Sequence, residues 1–140
     1  FFFNDTATTD IYTMVSSSAA SDVYKRQAIH YSLGLLQVRQ GNHQEAMAYL
    51  ENATIHDPDD PHYSYVYAIG LYSQQKPQEA LKVLKEAVEE HPYDRNILYA
   101  LTTISMENGL QQEALSYAEK LVEYYPEDPT YQQVLGVLSN

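Results

Sequence analysis

Cysteine is absent from the chain, which excludes disulfides, thiolate metal sites and thiol nucleophiles. That absence suits oxidising and reducing compartments alike, so cytoplasmic and periplasmic locations both stay open. Basic residues are scarce, 8 against 19 acidic ones, for a formal net charge of -11. A field of that sign repels phosphate, which argues against nucleic acid or anionic membrane as a partner and favours a basic or neutral protein surface. No apolar run approaches the roughly 18 residues that a membrane span requires, so no membrane insertion is expected. There is no Gly-rich phosphate loop, and no serine, histidine and carboxylate spacing suggests a triad. The length of 140 residues is enough for one domain with an ordinary core.

Residues 1–27 differ from the rest. They hold all three Phe, are dense in Thr, Ser and Ala, and show neither strand nor helix periodicity. They fit a signal peptide poorly, having no basic start and no apolar stretch of 7 to 15 residues. Ser17 to Gln27, SSAASDVYKRQ, resembles a translated transposase-type sequencing-library adapter, and Asn4 to Thr13 resembles the flow-cell adapter that precedes it, with Asp10 where that string would give Glu. The expectation is a non-native, disordered leader, with the natural N-terminal portion of the protein lying upstream and absent. From Ala28 onward there are 16 acidic and 6 basic residues, so the acidic balance does not depend on the leader.

What the remaining sequence does contain is a repeat. Gln44-Glu45-Ala46 returns as Gln78-Glu79-Ala80 and as Gln112-Glu113-Ala114, a period of 34. Pro58, Pro92 and Pro126 keep the same interval, as do Tyr31, Tyr65 and Tyr99, and Asp60, Asp94 and Asp128. Leu33-Gly34, Gly41, Ala46, Leu50, Ala53 and Pro58 then read as one complete unit. Residues 61–94 keep Ala80, Leu84, Ala87 and Pro92, with Tyr67-Ala68 for Leu-Gly and Gln75 for the turn glycine. Residues 95–128 keep Leu101, Gly109, Ala114 and Pro126, with Ala118 and Leu121 exchanging large for small. In this pattern the chain resembles the tetratricopeptide repeat family.

That resemblance implies an all-α, right-handed α-solenoid of stacked helix-turn-helix units at 28–60, 61–94 and 95–128, closed by a capping helix within 129–140. The physics of the residues agrees. Small side chains at 34, 68, 46, 80 and 114 let paired helices approach, while Leu50 and Leu84 fill the space around them. Gly41 and Gly109 suit the left-handed residue that ends a helix, and Pro77 suits the first turn of the next. Helices are expected near 28–40, 43–56, 62–75, 78–91, 96–108, 111–124 and 130–138. In the last of these, Val134, Leu135 and Leu138 face inward and Gln132, Gln133, Ser139 and Asn140 outward, as a cap requires.

The resemblance also implies that the first helices line a concave groove where a protein or peptide binds. The groove positions are Tyr31, Leu35 and Val38, then Tyr65, Ile69 and Tyr72, then Tyr99, Thr103 and Met106, with Arg39, His62 and Asn96 at the margins. The tyrosine ladder 31, 65, 99 serves either as packing between units or as a rigid contact surface for a peptide or partner helix. Some members of the family clamp a peptide carboxylate with basic residues. The matching positions Tyr31, Leu35, Val66, Asn96 and Ala100 supply no cation, so this groove should prefer apolar or basic segments.

No catalytic residue, cofactor or metal site is expected. His56-Asp57-Pro58-Asp59-Asp60-Pro61-His62 gathers metal-capable side chains but reads as turn material. Glu86, Glu89 and Glu90 read as a solvated helix face, with Lys82 and Lys85 in reach for weak pairs. The principal expectation is a protein-interaction scaffold. An alternative is the C-terminal tail of a larger periplasmic enzyme or electron carrier, because Tyr63 to Ala68 and His91 to Arg95 resemble tails of bacterial multihaem c-type cytochromes. In that case haem-attachment motifs would lie upstream of Ala28. A third reading is a structural spacer or self-associating solenoid.

Overall fold

The computed structural model describes residues 43–140, with side chains from Gln44 onward. The leader, the helix expected over 28–40 and the turn glycine at 41 lie outside the described residues. Six helices follow one another without a strand among the described residues: α1 His43–His56, α2 Pro61–Ser73, α3 Pro77–Glu90, α4 Arg95–Glu107, α5 Gln111–Tyr124 and α6 Pro129–Leu138. Each lies within two residues of its expected span.

The repeated residues explain the repeated geometry. Asp60, Asp94 and Asp128 are the N-caps of α2, α4 and α6, and their carboxylates accept from the backbone N–H of His62, Ile97 and Thr130 at 2.9, 2.9 and 3.0 Å. Each cap satisfies an amide that the first helical turn leaves unbonded. The turns before them match as well: the amides of Asp60, Asp94 and Asp128 donate to the carbonyls of Asp57, His91 and Tyr125. Proline stands in the first turn of α2, α3 and α6, where its missing N–H costs nothing.

The first helices α2 and α4 end in the same way. Gln75 N–H bonds Tyr72 O and Lys76 N–H bonds Leu71 O; Gly109 N–H bonds Met106 O and Leu110 N–H bonds Ser105 O. Both are six-residue closures requiring a left-handed residue, at φ 61° for Gln75 and 74° for Gly109. The helix expected to run to 75 therefore stops at Ser73, with Gln75 in the seat that glycine takes one unit later.

Packing follows the small residues. Ala46, Ala80 and Ala114, one period apart, are wholly buried, as are Ala68, Leu50 and Leu84. At Gly70 the absence of a side chain makes room for α1: a Cβ there would meet Met47 Sδ at 2.6 Å. Ala118 and Leu121 are both fully buried, so the exchange of large and small in the third unit conserves core volume. The main cluster joins Ile69, Leu81 and Leu84 to Ile97, Leu101 and Ile104, so one apolar seam passes from the second unit into the third. Neighbouring helices pack in chain order, and α2 also packs on α4. The first helices thus lie together on the inner side and the second helices α1, α3 and α5 spread along the outer side.

The terminal helix is only half covered. Tyr131 and Leu138 are buried and Val134 and Leu135 are partly buried against Ala114 and Ala118. Val137, however, is 69% exposed, and a Cβ on Gly136 would meet nothing within 4 Å.

Candidate functional site

The inner face is built by α2 and α4. Tyr65 and Tyr99 stand one period apart on it, each half-buried. His62 stacks on Tyr65 with ring centroids 6.3 Å apart, and Tyr99 leans on Tyr131 of α6 at 6.0 Å. Burial pushes the Tyr65 phenol up, and the Asp94 carboxylate and Tyr99 beside it push the same way. Each rung thus supports the following unit and keeps one edge open to the groove, so packing and contact are properties of the same ring.

At the far end, the Tyr72 hydroxyl donates to the Glu107 carboxylate, tying α2 to α4. Met106 beside it is 36% exposed, a polarisable side chain at the rim. Thr103 is partly buried and its hydroxyl donates to Tyr99 O at 2.9 Å, so what it presents to the groove is chiefly its methyl group. Asn96 is exposed at the margin.

One expected groove residue is misplaced. Ile69 is only 2% exposed and lies among Ile97, Ala100, Leu101 and Ile104. It follows Tyr65 by one helical turn, but α4 crosses α2 at that level and covers it. Tyr31, Leu35, Val38 and Arg39 lie outside the described residues. Val66 and Ala100, two positions compared with the carboxylate clamp, are buried as well as uncharged.

The chief feature that the sequence reading passed over is Arg95. Its guanidinium lies 4.3 Å from the centroid of the Tyr125 ring and 5.9 Å from that of Tyr131, and reaches Glu127 at 3.5 Å. Tyr125 and Tyr131 themselves stack edge to face, and the Tyr125 hydroxyl donates to Tyr93 O. This aromatic box ties the α3–α4 turn to the α5–α6 turn and holds the Arg95 cation against two phenol faces. The local hint was tyrosine beside two of the inter-unit prolines, Tyr93 after Pro92 and Tyr124-Tyr125 before Pro126; the partners lie some thirty residues apart in sequence. The groove is therefore lined by phenols, a thioether and carboxylates. Among the described residues, no group of three or more His, Asp or Glu side chains is placed to hold a metal ion, and no helix is long and apolar enough to cross a membrane.

Stacked helix pairs of 34-residue period with an open inner face define a helical-repeat binding module. Models of the tetratricopeptide repeat match residues 18–61 and 31–95, and a second such model matches 71–138. The chain belongs to the tetratricopeptide repeat family. No curated protein matches it. Among solved structures, it is similar to MamA 41-end from Desulfovibrio magneticus RS-1, at 22% identity and a TM-score of 0.72, over 86% of this chain and 66% of that one. MamA AMB-1 matches at 16% identity and a TM-score of 0.68, over 96% of this chain and 72% of that one. MamA MSR-1 matches at 18% identity and a TM-score of 0.66, over 96% and 76%. The chain thus spans about two thirds to three quarters of the length of these structures, and likeness at such identities shows the fold alone.

Proposed function

We propose that the chain is a protein-interaction scaffold without catalysis of its own, and that it binds an extended peptide or helix of a partner along the inner face of α2 and α4. The observation that carries this reading is the row of half-buried phenols at Tyr65, Tyr72 and Tyr99 beside exposed Met106, on rigid helices. Rigid aromatic rings give large contact area with little ordering entropy to lose, which is how interface anchors work. The carboxylates of Asp94 and Glu107 beside these rings favour a neutral or basic partner segment over an acidic one.

The test is affinity capture from the source cells with the intact chain and with Tyr99→Ala, followed by calorimetry on the captured partner. Loss of affinity of about 2 kcal/mol or more on removing one anchor ring is expected. A partner that binds Tyr65→Ala, Tyr99→Ala and the unaltered chain equally would remove the groove from the mechanism. A second reading, self-association, is favoured by exposed Val137 and uncovered Gly136 on α6. Light scattering at rising concentration, with Val137→Lys as the comparison, separates it from capture of a different protein: mass that grows only for the unaltered chain supports self-association.

A further inference from the structure

On the outer side of the stack, α1 and α3 leave a furrow between them. Two adjoining clefts, of about 410 and 400 Å³, share Glu51 and Tyr67 in their walls. Ile55, 67% exposed, contributes an apolar wall together with Tyr67 and Val83. Glu51, Glu79, Glu86 and Glu90 supply acid along it. At 1.5 Å of rise per residue the 14 residues of α1 make the furrow roughly 20 Å long, which accommodates about six residues of extended chain.

The following furrow, between α3 and α5, shows what occupies this space one unit later. There Lys85 Nζ meets Glu113 Oε2 at 2.6 Å, bridging the two helices, and the Tyr117 ring packs against the central core. Moved back by one period of 34, Lys85 becomes Glu51, Glu113 becomes Glu79 and Tyr117 becomes Val83. A bridging ion pair is thus replaced by two carboxylates, and a large ring by a short side chain. Glu51, Glu79 and Tyr67 line one cleft, and burial, then Glu51 and Glu79, push the Tyr67 phenol up. Lys76 reaches Glu79 at 3.7 Å, but from one turn away at the start of the same helix and with both partners largely exposed. Among the described residues Glu51, Glu86, Glu89 and Glu90 form no ion pair.

We propose that the α1–α3 furrow is a second docking site, for a lysine- or arginine-bearing segment of a partner protein that carries an apolar side chain beside the cation. The cation takes the place that Lys85 holds one unit later, between Glu51 and Glu79, and the apolar side chain covers Ile55 and Val83. The furrow lies on the opposite side of the stack from the tyrosine groove and does not depend on it.

The probe is a fluorescein-labelled, end-capped octapeptide of alternating arginine and leucine, titrated by anisotropy against the full chain, with a glutamate-leucine peptide for comparison. Glu51→Lys supplies the missing bridge from within, so it should weaken binding at least tenfold while leaving the urea midpoint unchanged or higher. Glu51→Gln should weaken it about threefold. Glu123→Lys, which makes the same change of charge on α5 away from the furrow, should change affinity less than twofold. Equal weakening by Glu51→Lys and Glu123→Lys would reduce the effect to the general acidic field and overturn the proposal. So would failure of the arginine peptide to bind, or binding lost in Tyr99→Ala and kept in Glu51→Lys. A lower urea midpoint in Glu51→Lys would show that the bridge does not form and would equally count against it.

Discussion

Gln75 occupies a left-handed conformation that its own unit's pattern assigns to glycine, and replacing it should stabilise the fold. Its φ of 61° closes α2 just as Gly109, at 74°, closes α4. Left-handed backbone costs an L residue about 1–2 kcal/mol, whereas glycine enters it freely but loses about 0.5–1 kcal/mol more entropy on folding. Gln75→Gly should therefore gain about 0.5–1 kcal/mol. The side chain of Gln75 is exposed, so little packing is lost with it. Gly109→Gln is the reciprocal change, and because nothing lies within 4 Å of a Cβ there, its cost of about 0.5–1 kcal/mol is purely conformational. Thermal unfolding followed by circular dichroism measures both, and for an array of this size each should move Tm by about 3 °C in opposite directions. If Gln75→Gly destabilises, or Gly109→Gln has no effect, the closures of α2 and α4 do not rest on the left-handed residue and the reasoning fails.

Three further outcomes are expected. Leu84→Ala, at a fully buried position in the main cluster, should cost about 3 kcal/mol and lower the urea midpoint with the m-value little changed. Asp94→Ala removes the 2.9 Å bond to the Ile97 amide and should cost about 1 kcal/mol, whereas Asp94→Asn should cost a few tenths, so the pair of midpoints separates capping from charge. Burial, then Asp60 and Asp59, hold the Asp57 carboxyl above its ordinary value. The folded state therefore binds the Asp57 proton more tightly than the unfolded state does, and the ionised group opposes folding. Asp57→Asn should thus raise Tm at pH 7. The gain should shrink as pH falls through the raised value and vanish below about pH 4, where both states are protonated. Thermal scans at pH 7, 5 and 3.5 check the sign.

The helical architecture was legible because each unit repeats a local instruction at one interval. Asp60, Asp94 and Asp128 cap, Pro58, Pro92 and Pro126 break, and Ala46, Ala80 and Ala114 admit a neighbour, each deciding its own surroundings without reference to distant residues. The site was less legible because its residues are decided by what crosses above them. Tyr65 and Ile69 sit on one stripe of α2 and were equivalent by periodicity, yet α4 covers Ile69 and leaves the edge of Tyr65 open. The contacts of Arg95 could not be read from its own neighbours, since its aromatic partners come from another unit's turn and α6.

Departures from the repeat carry different information from its conserved positions. Ala46, Ala80 and Ala114 recur because the crossing distance between paired helices is the same in every unit, and any larger side chain would hold the helices apart. Positions 51 and 85 face the gaps between second helices, where no fixed distance must be met, and read Glu and Lys. The carboxylates at 79 and 113 are the same in both furrows, so the residue across from them decides whether the gap is bridged from within or left acidic. Lys85 bridges its gap to Glu113 at 2.6 Å, and Glu51 does not bridge to Glu79. A repeat array can thus hold its fold constant at the alanine positions and assign partners at the positions facing the gaps. In this chain the solenoid's identity was readable from what recurs, and the chemistry of its outer surface only from what does not.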